Sequence, residues 1–416
     1  MEYQILKFKK RRVLYLILTV LICICAGFGY AWSVLQNPII TVYHWSDSSV
    51  AVAYTITVLC STMSPLFFGA LLSRISTRIC ILIGALFFGG GLFLTGYMNQ
   101  IWQLYLFYGF ISGIGVGFIY PRMMSYVIQL YPEHRGIASG IGTAAYGSGA
   151  ILWAPAAARL IETKGLSGTF YILGILFLAI IVICALFLCD PPDSFSILNT
   201  SEQSSNHFVP SLNRRQMVRT GSFYLLVVIF VFGLTAGMLV ISQAAPILQQ
   251  ELSYTSSTAS LFVSIFAACN MLGRFLWGSL SDKLGQIVIM RIVFICCMVS
   301  MVFLSIFQKE SFMLFAMGLA ASCYGGLASI LTPLTARVFG PKYITENYGV
   351  MYVVFGLASL IGPLLATTCR SVSSSYTGAY VISGILAVSG LLLSILLTYR
   401  EHSVKKLSQQ KGEEKL

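Results

Sequence analysis

Apolar runs of about 20 residues, the length that carries an α-helix across the hydrocarbon of a bilayer, recur along the whole chain. They fall near 13–36, 47–72, 79–98, 102–130, 136–161, 167–189, 222–247, 255–281, 286–307, 311–338, 346–369 and 375–399, with short polar breaks between them. The pattern predicts an all-α membrane protein with twelve transmembrane helices. Composition excludes a soluble fold, because only 10% of the residues are charged and 57% are hydrophobic, where soluble domains carry about 25% charge. The basic opening KFKKRR followed by an apolar run resembles a secretory signal. No small-residue cleavage site closes it, however, so the first helix is expected to be retained. The 11 cysteines lack ligand or framework spacing and read as small buried hydrophobes.

Twelve crossings put both ends of the chain on one side, and the cations choose the side. With the ends inside, inner segments hold 19 of the 26 Lys and Arg, and outer segments only Arg159, Lys164, Lys309 and Arg370. The positive-inside bias therefore predicts a multi-pass protein of the cell membrane with both termini cytoplasmic. The same bias accounts for the net charge of +12, so no nucleic-acid partner is called for; the lipid bilayer is the expected surrounding. Nothing in the sequence asks for a cofactor or a metal, and the chain is expected to work as a monomer.

The sequence also repeats itself. GALLSRIS at Gly69 returns as GSLSDKLG at Gly278, Pro38 pairs with Pro246, Gly109 with Gly318, and Gly136 with Gly349, all at separations near 209 residues. Two six-helix halves follow. Residues 1–190 are expected to form an N-terminal bundle, 191–220 a cytoplasmic linker, 221–400 a C-terminal bundle and 401–416 a cytoplasmic tail. Such halves suit a site at mid-membrane between two bundles that rock around it. Gly136, Gly140 and Gly147 on helix five, and Gly349, Gly356 and Gly362 on helix eleven, supply close approach, either at sliding contacts or in ordinary tight packing.

These motifs, taken in order, resemble the major facilitator superfamily, and the resemblance covers nearly the whole chain. Its inner-loop signature stands after helix eight as Gly278, Leu280, Asp282, Lys283 and Gly285. After helix two the copy is eroded: Gly69, Leu71 and Arg74 match, while Ser73 replaces the acid and Ser76 the second glycine. Within the superfamily the chain is similar to oxalate-formate exchangers and monocarboxylate porters. Gly27, Tyr30, Trp32, Asn37 and Pro38 follow their helix-one pattern, and YPEHRGIASGIGTAAYGSG follows their helix-five run. The resemblance implies the major facilitator fold, with Tyr30, Tyr120, Tyr324 and Tyr352 flanking the substrate and a substrate-binding arginine at Arg274. Two positions depart from it. Phe355 stands where oxalate carriers have a lysine, which argues against oxalate, and Asn270 stands where animal-type porters have an aspartate.

Arg274 lies inside the apolar run of helix eight, where a guanidinium costs roughly 2.5–3.5 kcal/mol on insertion scales. All 14 acids and all 4 histidines lie in tails, loops or helix ends, leaving no carboxylate at the membrane centre to neutralise it. A planar guanidinium facing a cavity is suited to grip a carboxylate with two parallel hydrogen bonds. The alternative is that it bonds backbone carbonyls or Asn270 and reaches toward the inner interface. Arg122 on helix four is the second cation, read equally as a ligand contact and as a snorkelling or gating residue. If both cations face one cavity the substrate is a dicarboxylate; if Arg274 alone does, a monocarboxylate. The expected function is secondary active transport of a small organic anion by alternating access, as anion exchange, because the core offers no Asp, Glu or His to relay a proton. The alternatives are a proton-linked monocarboxylate symporter and an exporter of larger amphipathic compounds. A sensor without transport would need a signalling domain, and an enzyme would need buried acid-base groups.

Overall fold

The computed structural model describes residues 2–72, 74–191, 211–307 and 309–413. Most of the expected linker, and the end of the tail, lie outside the described residues. Eleven described stretches are long and apolar enough to cross a membrane. One of them, Arg135–Phe187, has 53 residues, or about 80 Å of helix, far beyond the roughly 30 Å of a hydrocarbon core. It is broken at Gly165, whose φ of 72° favours glycine, and so supplies two crossings. The total is the expected twelve.

The spans are less regular than the sequence predicts. The first starts earlier, as Glu2–Ala26, tightens into a 3₁₀ turn at Gly27–Ala31 and continues as Trp32–Tyr43. Asp47–Leu72 and Thr77–Thr95 are the second and third spans. The fourth changes from Ile101–Leu104 through a wide π-helical stretch, Tyr105–Ser112, to Gly113–Leu130. Arg135–Gly147 and the first part of Gly149–Phe187 make the fifth span, and the remainder of that helix makes the sixth. Gly221–Glu251, Ser256–Leu284, Gln286–Ile306 and Glu310–Phe339 follow; the eleventh span is Ile344–Met351 with Val353–Ser373, and the twelfth helix is Thr377–Glu413.

Packing repeats with the sequence. The second span lies along the fourth as the eighth lies along the tenth, and the third along the sixth as the ninth along the twelfth. Where the first span crosses the fifth, no side chain intervenes. A methyl on Gly27 would overlap the carbonyl of Tyr146, and one on Gly149 would come within 2.6 Å of the Gly27 backbone.

Two seams join the first six spans to the last six: fifth against eighth, and second against eleventh. At the first, Gly136 backs onto the carbonyl of Gly278, and Gly140 lies beside the carbonyl of Arg274. Asp282 accepts from the main-chain N–H groups of Gly136 at 2.7 Å and Ile137 at 2.8 Å. Here a carboxylate meets the free donors and positive end of a helix. Gly285 then ends the eighth span at φ 89°. Nearby, Ser139 donates to the carbonyl of Ser329 at 2.6 Å. That carbonyl is available because Pro333, four residues on, has no N–H to offer it.

The second seam is looser. A Cβ on Gly349 would stand 3.2 Å from the Pro65 side chain, a close approach but not an overlap, although Gly356 is pressed by Thr62. Gly362 packs on the seventh span, inside its own half, as ordinary tight packing. Ser73 lies outside the described residues, and Arg74 is exposed. The linker helix Arg214–Met217 closes this side. Arg214 donates to the carbonyl of Leu66, Leu212 donates to that of Phe339, and Asn347 donates to that of Leu212. The face with these contacts is called the linker face.

Candidate functional site

Arg274 sits between the halves at 1% exposure. Its Nε donates to Asn270 Oδ1 at 3.0 Å, one turn earlier on the eighth span. Its Nη1 donates across the seam to the carbonyl of Thr143 at 2.7 Å, and its Nη2 to the Tyr30 hydroxyl at 3.3 Å. Two glycines admit it. Gly325 on the tenth span lies against Asn270 and the arginine stem, and Gly147 on the fifth span lies 3.3 Å from the guanidinium carbon, measured from where a Cβ would stand. Three of the five N–H groups are thus used. The other two, one on each Nη, have no partner among the described residues, and no carboxylate there pairs with this cation. Arg274 thus uses Asn270 and a carbonyl and keeps two donors in reserve.

Around it the aromatic side chains form a circuit through both halves. Tyr30 meets Tyr146 at 5.5 Å between centroids, Tyr146 meets Tyr120 at 4.3 Å, Tyr120 meets Tyr352 at 5.2 Å, Tyr352 meets Phe355 at 5.3 Å and Phe355 meets Tyr324 at 6.4 Å. Arg274 closes the circuit, lying 5.9 Å from the Tyr30 ring and 6.0 Å from the Tyr324 ring, within cation–π range. The 3₁₀ turn Gly27–Ala31 presents Tyr30. The cavity bounded by these groups encloses about 790 Å³ of interatomic space, counting its open mouth. Its far wall carries Tyr54, Thr57, Ser61, Thr62, Tyr108 and Ser112.

Every hydrogen bond given above between the two halves lies at the level of Arg274 or toward the linker face. Half-buried Tyr54, near the start of the second span, lines the cavity on the other side. The site is thus closed toward the linker.

The sequence-predicted residues divide cleanly. Tyr30, Tyr120, Tyr324 and Tyr352 line the cavity with Arg274, and Asn270 supports the arginine from behind. Arg122 does not line this cavity. It donates to Thr77 Oγ1 at 3.1 Å and the carbonyl of Ile75 at 3.1 Å, and lies 3.6 Å from Asp190. Asp190 also accepts from the Thr77 main chain at the start of the third span. This cluster ties the third, fourth and sixth spans together near the linker face. Gly278, Asp282 and Gly285 belong to the fifth–eighth seam, while Lys283 is exposed beside it. Sequence reasoning missed Tyr54, Tyr108 and Tyr146. It also missed a third cation within a span, Arg291, which bonds Ser394. Among the described residues no group of three or more His, Cys, Asp or Glu side chains converges as a metal site.

The sequence profile of the Major Facilitator Superfamily matches residues 17–307 and 225–416. The chain belongs to that superfamily. It is a membrane transporter and not an enzyme. It is 26% identical over 408 residues to the oxalate:formate antiporter of Oxalobacter formigenes, covering 97% of this chain and 96% of that one. It is 22% identical to monocarboxylate transporter 12 of Homo sapiens over 371 residues, or 83% and 70% of the two chains. Its fold is similar to that of the transporter FucP in the outward conformation, with a TM-score of 0.70, 15% identity and coverage of 92% and 98%.

Proposed function

We propose that this superfamily member carries small organic monocarboxylates across the cell membrane by alternating access, exchanging one for another, with the linker face and both termini in the cytoplasm. One observation carries the reading: a buried guanidinium between the halves with two N–H groups in reserve and no carboxylate partner among the described residues. A carboxylate is the ligand whose two oxygens complete it through charge-assisted bonds. Arg122 is engaged with Asp190 elsewhere and Phe355 faces the cavity, so the lining described here brings one positive charge to the substrate. That favours a single carboxylate with an apolar or aromatic body over a dianion such as oxalate. The activities for which the relatives are named, oxalate:formate antiport and monocarboxylate transport, concern the same ligand chemistry. No Asp, Glu or His is among the lining residues, which favours exchange over proton coupling.

The test is counterflow in proteoliposomes preloaded with lactate, pyruvate, formate, oxalate or malate. Uptake is expected for the monocarboxylates and loss of it, roughly a hundredfold or more, in Arg274→Ala, since truncating one partner of a buried charge pair costs about 3–5 kcal/mol. Arg122→Ala is expected to lower the yield of folded protein more than the affinity. Unchanged uptake in Arg274→Ala would favour an exporter of larger amphipathic compounds.

A further inference from the structure

Arg274 has a second attachment that substrate recognition does not require. Its Nη1 donates 2.7 Å across the seam to a main-chain carbonyl, Thr143, of the fifth span. The partner is a backbone atom, so no side chain on the fifth span has to be chosen for the contact. What the sequence must supply is room, and Gly147 supplies it one turn further along: a Cβ there would stand 3.3 Å from both Cζ and Nε. The bond lies at the cavity end of the same seam that Asp282 holds at the linker face. Parting the fifth and eighth spans therefore breaks both.

The two breakages differ in what replaces the lost partner. Asp282 and the N–H groups of Gly136 and Ile137 sit at the linker face, where water can take over their bonds. Arg274 is 1% exposed among aromatic rings. In an unloaded carrier, separation leaves a buried guanidinium with one partner fewer, and an unsatisfied buried charged group is costly. A bound carboxylate occupies the reserve donors and supplies the missing countercharge, so the same separation costs less.

We propose that the Arg274–Thr143 bond is a tether which keeps the unloaded carrier closed at the linker face, with Gly147 as the residue that positions it. Arg274 then couples loading to opening, and an empty carrier returns slowly. The tether rests on the anion-carrier reading for its release, although not for its existence: the closing effect is a property of the protein without substrate. From the strength of one hydrogen bond to a charged group, the tether is expected to shift the unloaded equilibrium by roughly ten- to a hundredfold toward the closed linker face.

The test measures that equilibrium without any anion. Spin labels are placed at cysteines substituted for Arg74 and Lys342, both exposed on the linker face in opposite halves, with exposed Cys189 replaced by serine. Distances are recorded by pulsed electron resonance on full-length protein in nanodiscs, in buffer free of carboxylates. The unloaded parent is expected to give the short distance. Arg274→Gln should enlarge the long-distance population at least tenfold, and Gly147→Ala, which retains the arginine and its charge but crowds it off the carbonyl, should enlarge it severalfold. Should Arg274→Gln fail to fold, Gly147→Ala decides alone. Long distances absent from both folded variants would overturn the tether. If the variants open but the parent shows no carboxylate counterflow, the transport reading fails and the tether stands. If counterflow is present and the variants stay closed, the reverse holds.

Discussion

The fifth–eighth seam and the second–eleventh seam occupy related places in the two halves, yet they are closed by different means. At the first, glycine backbones touch, a carboxylate caps a helix end, and a proline-freed carbonyl takes a serine hydroxyl. At the second, the corresponding glycine, Gly349, lies close to the Pro65 side chain without overlapping backbone, and the linker's Arg214 does the joining through the Leu66 carbonyl. The acid at the head of the eleventh span is its own Glu346, in the first turn; the first turn of the fifth span has none. One helix end therefore carries its negative charge with it, while the other borrows Asp282 from across the seam and gives it up whenever the halves part. Symmetric folds need not have symmetric gates.

Substitutions can exaggerate or erase this difference. The largest effect is expected at Gly136→Ala, whose methyl must displace the Gly278 backbone; overpacking of this kind costs about 1–3 kcal/mol and sometimes more. It should appear as a marked rise in the linker-open population by the same distance measurement. Asp282→Asn retains an acceptor but not the charge, and a loss of about 1–2 kcal/mol is expected. Faster alkylation of a cysteine introduced beside Gly136 would report it. On the looser side, Arg214→Ala removes one half-buried bond to a carbonyl, and about 1 kcal/mol is expected, visible as greater protease sensitivity of the linker with exchange maintained. Gly349→Ala should have the smallest effect, under about 1 kcal/mol, because its methyl asks Pro65 to give by only a few tenths of an ångström rather than displacing backbone; thermal unfolding in detergent should show a small shift. If Gly349→Ala proved as damaging as Gly136→Ala, the contrast between the seams would be wrong.

The number of crossings was legible because hydrocarbon thickness imposes a length that composition displays directly. The repeat was legible as well, and the paired packing of the spans follows it. Arg274 could be singled out because an arginine without a nearby acid is conspicuous in an apolar run. Its actual partners could not be read: Asn270 is one turn away and visible, but Thr143 offers a carbonyl, and every residue has one. Arg122 shows the opposite case. Its neighbour Asp190 is 68 positions along the chain, and only the packing of the third, fourth and sixth spans brings the two within reach. The three missed tyrosines carry no local mark among 22 of their kind. They are distinguished by the direction in which their helices are turned, and in the fourth span that direction follows the π-helical stretch Tyr105–Ser112, whose extra residue per turn shifts the register of Tyr108. The apolar run predicts a first helix that begins after KFKKRR. The helix starts at Glu2 instead, because charged residues end an apolar run without ending a hydrogen-bonded ladder.

The bare crossing of Gly27 with Gly149 has a mechanical side. It pins the first span to the fifth at a point 13 residues from Gly136, a lever of about 20 Å at helical rise. A tilt of about 10° around that pivot swings the Asp282 end by roughly 3 Å, enough to undo two hydrogen bonds of ordinary length. Tyr30, only three residues from the pivot, would barely travel. If the halves rock as proposed, the fulcrum would give the Asp282 end a long stroke while the ring beside the arginine stayed nearly still.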